Sequence, residues 1–133
     1  MTARGGDGAT ERRDFPRGTL IFREGDGGDT AYLVHRGTVR IFKTVGGRRV
    51  TLGLVRPFQV FGELALIDDS PRMAGALADD DVTVLVLPRA TIQAMIDQAP
   101  DGLRTLILSM MATMRVMGDD LAAARAALLD AGG

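Results

Sequence analysis

The stretch that decides the reading is Phe61-Gly-Glu-Leu-Ala-Leu-Ile-Asp-Asp-Ser-Pro-Arg-Met-Ala74. It opens on an apolar strand end, Val60-Phe61, and turns at Gly62. Glu63 to Ile67 suits one or two helical turns, which Asp68, Asp69, Ser70 and Pro71 then end, as turn residues do. Arg72 follows, just before an apolar segment resumes. A glycine lets backbone come close to a ligand, and the free N–H groups of a short helix start attract an anion. Arg72 adds a fixed cation whose planar donor fork suits phosphate. Glu63 can accept hydrogen bonds from hydroxyls such as those of a sugar. Together these residues make a small site for a sugar phosphate.

The stretch resembles the phosphate-binding cassette of cyclic nucleotide-binding domains, whose pattern runs roughly F-G-E-[LM]-[AG]-L…P-R-[AST]-A. Order and spacing agree over the fourteen positions Phe61 to Ala74, and residue type agrees wherever the pattern specifies it except at Met73. The resemblance implies that Glu63 holds the ribose 2′-hydroxyl and Arg72 the cyclic phosphate, with backbone N–H groups near Ala65 and Met73 completing the phosphate contacts. The nucleotide-binding set it implies is Gly62, Glu63, Leu64, Ala65, Arg72, Met73 and Ala74, joined by Met117 from further along the chain. The implied ligand is cAMP or cGMP, with no cofactor.

Upstream, Phe15 to Phe61 reads as short strands separated by glycine turns. Thr19 to Phe22 is a first strand, Arg23 to Asp29 a turn region, and Ala31 to His35 a second strand closed by Arg36-Gly37. Thr38 to Thr44 alternates, with Val39, Ile41 and Lys43 on one face, and Gly46-Gly47 makes a hairpin into Arg49 to Leu54. Such spacing points to an all-β sandwich or barrel. The arrangement Gly25-Asp26…Tyr32-Leu-Val…Gly37-x-Val39 resembles the same family. After the cassette come strands Ala74–Ala78 and Val82–Leu87, the second almost continuously apolar and so central. Asp79-Asp-Asp81 between them reads as a solvated turn rather than a metal site. Residues 1–14 are Gly-rich and charged and read as a flexible tail. The expected fold is mainly β with C-terminal helices: a jelly-roll-like β-barrel with a short cassette helix over 15–98, then a long C-terminal dimer or lid helix within 99–133.

Helical spacing starts near Thr91, with Ile92, Met95 and Ile96, and breaks at Ala99-Pro100-Asp101, where Asp101 suits an N-cap. From Leu103 the apolar residues form a heptad. Leu103, Met110, Met117 and Ala124 make one set, and Ile107, Met114, Leu121 and Leu128 the other. This seam argues for a coiled coil and a parallel homodimer, the alternative being that the stripe only covers its own barrel. Asp120 and Arg125 stand where they can pair across such a dimer. Leu106 and Met111 widen the apolar face, so the start of the helix is also expected to pack on the barrel. Gly118 interrupts the helix, as a hinge or as a point of close approach.

This region resembles the dimer helix of catabolite-activator-type regulators, in which a Thr-Ser pair contacts adenine. Met117 and Gly118 occupy the matching positions, so the base is expected to meet apolar contact in place of hydroxyls. Met73 stands where the family has a small residue. A hydroxyl there accompanies cGMP preference, so its lack favours cAMP.

Composition narrows the rest. A net charge of −1 and the lack of a basic recognition helix argue against DNA as a partner. No apolar run reaches the roughly 18 residues a membrane span needs, and no signal-peptide core follows the N-terminus, so a cytoplasmic setting is expected. There is no cysteine, and His35 is the one histidine, which excludes thiolate and multi-histidine metal sites. No catalytic triad can be assembled, and Glu63 with Arg72 is a binding pair without a nucleophile. The sequence therefore reads as a non-enzymatic cyclic nucleotide sensor whose C-terminal helix moves or dimerises and signals to an unknown effector protein. The alternative is a dimerising scaffold that keeps the cassette without binding nucleotide.

Overall fold

The glycine pair Gly46-Gly47 takes positive φ angles of 58° and 80°. Two successive positive φ values match the right-handed twist of flanking strands, so the pair closes a two-residue hairpin with Val45 opposite Arg48. The computed structural model describes residues 11–62 and 71–132. Among them the strands are β1 (Arg12–Phe15), β2 (Leu20–Phe22), β3 (Thr30–Arg36), β4 (Val39–Val45), β5 (Arg48–Val55), β6 (Val60–Phe61), β7 (Gly75–Ala78) and β8 (Val82–Pro88). The helices are α1 (Arg89–Asp97) and α2 (Asp101–Gly132). The expected cassette helix over Glu63–Ile67 lies outside the described residues.

The strands form two four-stranded antiparallel sheets, ordered β1-β8-β3-β6 and β2-β7-β4-β5. The apolar run of β8 is an interior strand, as its composition requires. Val82, Val84 and Val86 are buried, and Leu85 and Leu87 between them are half-buried. The three valines meet Tyr32, Val34, Val39, Phe61, Ala76 and Ala78, drawn from both sheets, in one core.

Several features differ from the sequence reading. The flexible tail was expected to run through Asp14, but Arg12, Arg13 and Asp14 pair with Leu85, Val84 and Thr83 of β8. This strand is held at the sheet edge by backbone pairing and by Thr83 Oγ1 donating to Asp14 Oδ1 at 2.7 Å, so it needs little apolar surface. Gly118 does not interrupt α2, which runs unbroken for 32 residues.

The face that α2 lays on the sandwich is also not the heptad seam. Met111, Ala122 and Ala126 are buried, while Leu103, Met110, Met114, Met117, Leu121 and Leu128 are exposed and Ile107 is half-buried. Leu106 is exposed as well, so of the two residues expected to pack on the barrel only Met111 does. Small residues let the helix approach β4 and β5 closely. Apart from Met111 and the cavity-lining Met114, the large ones are left facing outward. Arg125, expected to pair with Asp120 across a dimer, donates to the Thr51 carbonyl of its own β5 at 3.1 Å.

Each aspartate of the 79–81 turn has its own partner. Asp79 takes a forked pair of hydrogen bonds from Arg40 at 2.9 and 3.2 Å. Asp80 accepts from the Thr38 amide at 2.7 Å, and Asp81 from the Arg17 amide at 2.9 Å. The Arg40 hydrogen bonds hold the Asp79 carboxyl below the usual carboxylate range. That contact therefore adds stability above about pH 4, which is lost as pH falls through the depressed value. Gly37 faces the same turn at φ 90°, and a Cβ there would lie 2.4 Å from the Asp81 carbonyl oxygen. Gly37→Ala is expected to cost about 1–3 kcal/mol, combining a strained φ with a backbone clash. Thermal unfolding checks this, and an unchanged midpoint would contradict it.

Candidate functional site

Arg72 follows Pro71 and enters the sandwich just before β7. Its backbone is fixed first: its N–H donates to the Asp26 carbonyl at 2.8 Å, and its carbonyl accepts from the Gly25 amide at 2.8 Å. These bonds lock the residue to the β2–β3 turn and direct its side chain inward, where it is 5% exposed.

Inside, the guanidinium is held by main-chain carbonyls. Nη1 donates to Gly62 O and Nη2 to Thr30 O, each at 2.7 Å. Its carbon lies 4.2 Å from the centre of the Phe22 ring. Phe22 in turn packs with Tyr32 and Phe61, at centroid distances of 6.3 and 6.0 Å. Two glycines make room. A Cβ on Gly28 would sit 2.3 Å from the guanidinium carbon, and one on Gly62 2.7 Å from Nη1. Gly62 also has φ 82°, a conformation that L side chains rarely adopt. Arg89, at the start of α1, donates to the Gly28 carbonyl at 2.9 Å and braces this turn from the other side.

Among the described residues Nε of Arg72 has no hydrogen-bond partner. Among the described residues no carboxylate makes an ion pair with this guanidinium. Burial therefore pushes its pKa below the ordinary arginine value, with the more distant Tyr32 and Asp26 opposing the shift. A cation removed from water without a counter-charge is costly to hold. An anion in the adjoining space would relieve that cost by supplying the missing counter-charge.

The adjoining space is a cavity of about 230 Å³. Arg72 stands at one end, beside Gly62, Met73 and Ala74. Ile41, Val55, Val60 and Met114 supply apolar walls. Four of the sequence-predicted site residues, Gly62, Arg72, Met73 and Ala74, thus line one cavity. Glu63, Leu64 and Ala65 lie outside the described residues. Met117 does not line the cavity. It is 62% exposed on the outer face of α2, and Met114, about one helical turn earlier, takes the place beside the pocket. Phe22, Gly28 and the Thr30 carbonyl are part of the site without having been marked by the sequence pattern. Their only sequence sign is the Gly27-Gly28 pair before β3.

The family model described as "Cyclic nucleotide-binding domain" matches residues 12–99, beginning on β1 and ending just after α1. The chain belongs to the cyclic nucleotide-binding domain family. It is 43% identical over 91 residues to the "Cyclic AMP receptor protein" of Thermus thermophilus, covering 68% of this chain and 42% of that protein. It is 37% identical over 90 residues to the "cAMP-dependent protein kinase regulatory subunit" of Aspergillus niger, covering 68% of this chain and 21% of that one. The chain thus spans less than half the length of these curated relatives. The cAMP-bound form of the EAL enzyme Bd1971 superposes with a TM-score of 0.80 at 27% identity, over 89% of this chain and 32% of that one. The Thermus thermophilus catabolite activator protein gives 0.66 at 38% identity, over 84% of this chain and 52% of that one.

Arg72 is thus a buried cation that no carboxylate among the described residues pairs with. Arg72→Met, an apolar replacement of similar length, is expected to leave the thermal midpoint of the ligand-free protein unchanged or raised, since it removes an unpaired buried charge. A midpoint lowered by several degrees would show that Arg72 is a structural keystone.

Proposed function

We propose that this chain is a cyclic nucleotide-binding regulatory module that takes cAMP in preference to cGMP and reports occupancy through α2. The observation that carries the reading is the buried Arg72 guanidinium, with an unpartnered Nε beside an apolar cavity. In this reading the cyclic phosphate accepts from Arg72 and from backbone N–H groups near Ala65 and Met73. Glu63 takes the ribose 2′-hydroxyl. The purine lies against the apolar wall that includes Met73 and Met114, and the lack of a hydroxyl at Met73 favours adenine. The residues supply binding groups and no nucleophile, so the role is regulatory rather than enzymatic. Among the described residues no helix is long and apolar enough to cross a membrane. The setting proposed is the cytoplasm, with an effector protein as the downstream partner and no part played by DNA.

Isothermal titration with cAMP and with cGMP tests the reading, with Arg72→Ala as the control. Micromolar binding of cAMP is expected, with weaker cGMP binding. Arg72→Ala should weaken both by about a hundredfold or more, because hydrogen bonds to a charged group are worth about 1.5–3 kcal/mol each. Equal affinity in the mutant would refute the site. No binding by the wild type would favour the scaffold reading, which the Met73 side chain beside the cavity supports by narrowing it.

The module is further proposed to dimerise through the outward seam of α2, formed by Leu103, Ile107, Met110, Met114, Met117, Leu121 and Leu128. All but Ile107 are exposed on the single chain, which is costly in water for a stripe this long. Sedimentation equilibrium should give a dimer for the wild type and a monomer for Met110→Glu with Leu121→Glu. A wild-type monomer at high micromolar concentration would contradict the proposal.

A further inference from the structure

Of the chain's 16 lysines and arginines, Lys43 is the only lysine. It stands on β4 just after a register shift between Ile41 and Phe42, so that Phe42 and Lys43 are both buried although they are neighbours. Lys43 is 8% exposed, yet its ammonium meets an acceptor on each of three separate segments. It donates to the Met73 carbonyl oxygen. It pairs with Glu24 Oε2 at 3.2 Å in the β2–β3 turn, and with Asp119 Oδ1 at 3.1 Å on α2. Glu24 is steadied by the Thr44 amide, which donates to its Oε1 at 3.0 Å. An ammonium offers three donors from one point, whereas the flat fork of an arginine suits a single planar acceptor pair. The position therefore calls for lysine in a chain that otherwise uses arginine.

The same stretch of α2 meets residue 73 a second time. Gly118 has no side chain because the Met73 methyl occupies that space: a Cβ there would lie 2.6 Å from Met73 Cε. One helical turn earlier, Met114 forms part of the cavity wall. Residue 73 is thus joined to α2 through its carbonyl, by way of Lys43, and through its side chain, while its neighbour Arg72 holds the anion end of the cavity.

We infer that Lys43 is a positioning residue of the nucleotide site. It fixes the Met73 carbonyl behind the phosphate-binding limb and ties that limb to Asp119 of α2, so that filling the cavity and docking α2 become a single equilibrium. This rests on the nucleotide reading of the Arg72 cavity. If α2 lifts, Lys43 loses Asp119, Met73 loses its seat at Gly118, and the cavity loses the Met114 wall. Ligand that needs the complete cavity therefore favours the docked helix, and by linkage a docked helix favours ligand to the same degree.

The test is a double-mutant cycle of Lys43→Met and Asp119→Asn in the full chain. It is read by cAMP titration and by hydrogen exchange of the amides at 112–126, with and without cAMP. Each single variant should bind about 5- to 20-fold more weakly, and the double variant no more weakly than Lys43→Met alone. Protection of α2 by cAMP should fall, while exchange in β3 and β8 stays as in the wild type. Asp119→Asn alters an exposed carboxylate, so it serves where Lys43→Met fails to fold. Wild-type affinity and wild-type protection of α2 in Asp119→Asn, or additive effects in the cycle, would overturn the inference. If the wild type binds no cyclic nucleotide, the nucleotide reading fails separately. The tie between Lys43 and α2 is then decided without ligand: faster exchange around residue 118 in Asp119→Asn upholds it, and unchanged exchange overturns it.

Discussion

A guanidinium cation held away from water, with carbonyl oxygens for partners and its Nε left without one among the described residues, is the constraint around which the cavity is built. Carbonyl dipoles satisfy part of the charge, and the Phe22 ring stabilises more of it by cation–π attraction. Neither supplies a counter-ion. Two glycines give up side chains so that the group fits, one of them at a positive φ. The turn that carries Gly28 is pinned by Arg72 through its backbone and by Arg89 through its side chain. A fold selected for stability alone has no use for such an arrangement. It makes sense for a protein whose bound and empty states must differ in free energy.

The sandwich and α2 stand in different relations to that local constraint. The central strands are apolar and interlocked, so the Arg72 end of the cavity has a rigid floor. The helix is different. It is seated by a narrow stripe of Met111, Gly118, Ala122 and Ala126 and by a few polar ties, of which the Lys43–Asp119 pair and the Arg125–Thr51 contact are two. Small residues bring the helix close, but they bury little apolar area, so docking is weak relative to the core. Elements of this kind move when a ligand changes the balance between two positions.

Much of this was legible in the sequence, for physical reasons that differ by element. Gly46-Gly47 announced a hairpin because few other residues tolerate two positive φ values. The run Val82–Leu87 announced an interior strand because an edge strand does not need that much apolar surface. Of the cassette residues, Gly62, Arg72, Met73 and Ala74 were legible as one cluster because a glycine turn and an arginine stand just before an apolar strand, and they line one cavity. By contrast, β1 was hidden, since an edge strand held by backbone pairing carries no periodic apolar signal. The packing face of α2 was hidden by its own exposed face. Large methionines and leucines at heptad spacing outweigh a glycine and two alanines to the eye, yet those small residues, beside Met111 and Met114, touch the sandwich. That offset also moved the pocket-facing methionine from Met117 to Met114. Phe58 shows another limit: it adopts φ 71° after Pro57, where residue type alone favours glycine.

The most direct test of the central claim observes the spare donor itself. In a ¹H–¹⁵N spectrum recorded for arginine side chains, the Arg72 Nε–H should give a resolved, slowly exchanging signal in the ligand-free protein. Saturating cAMP should shift that signal strongly downfield, as expected for a charge-assisted hydrogen bond to phosphate, with the other arginine signals moving far less. An Nε–H signal that stays in place while cAMP binds would mean that Arg72 is not the phosphate receptor, and the account built on it would fall.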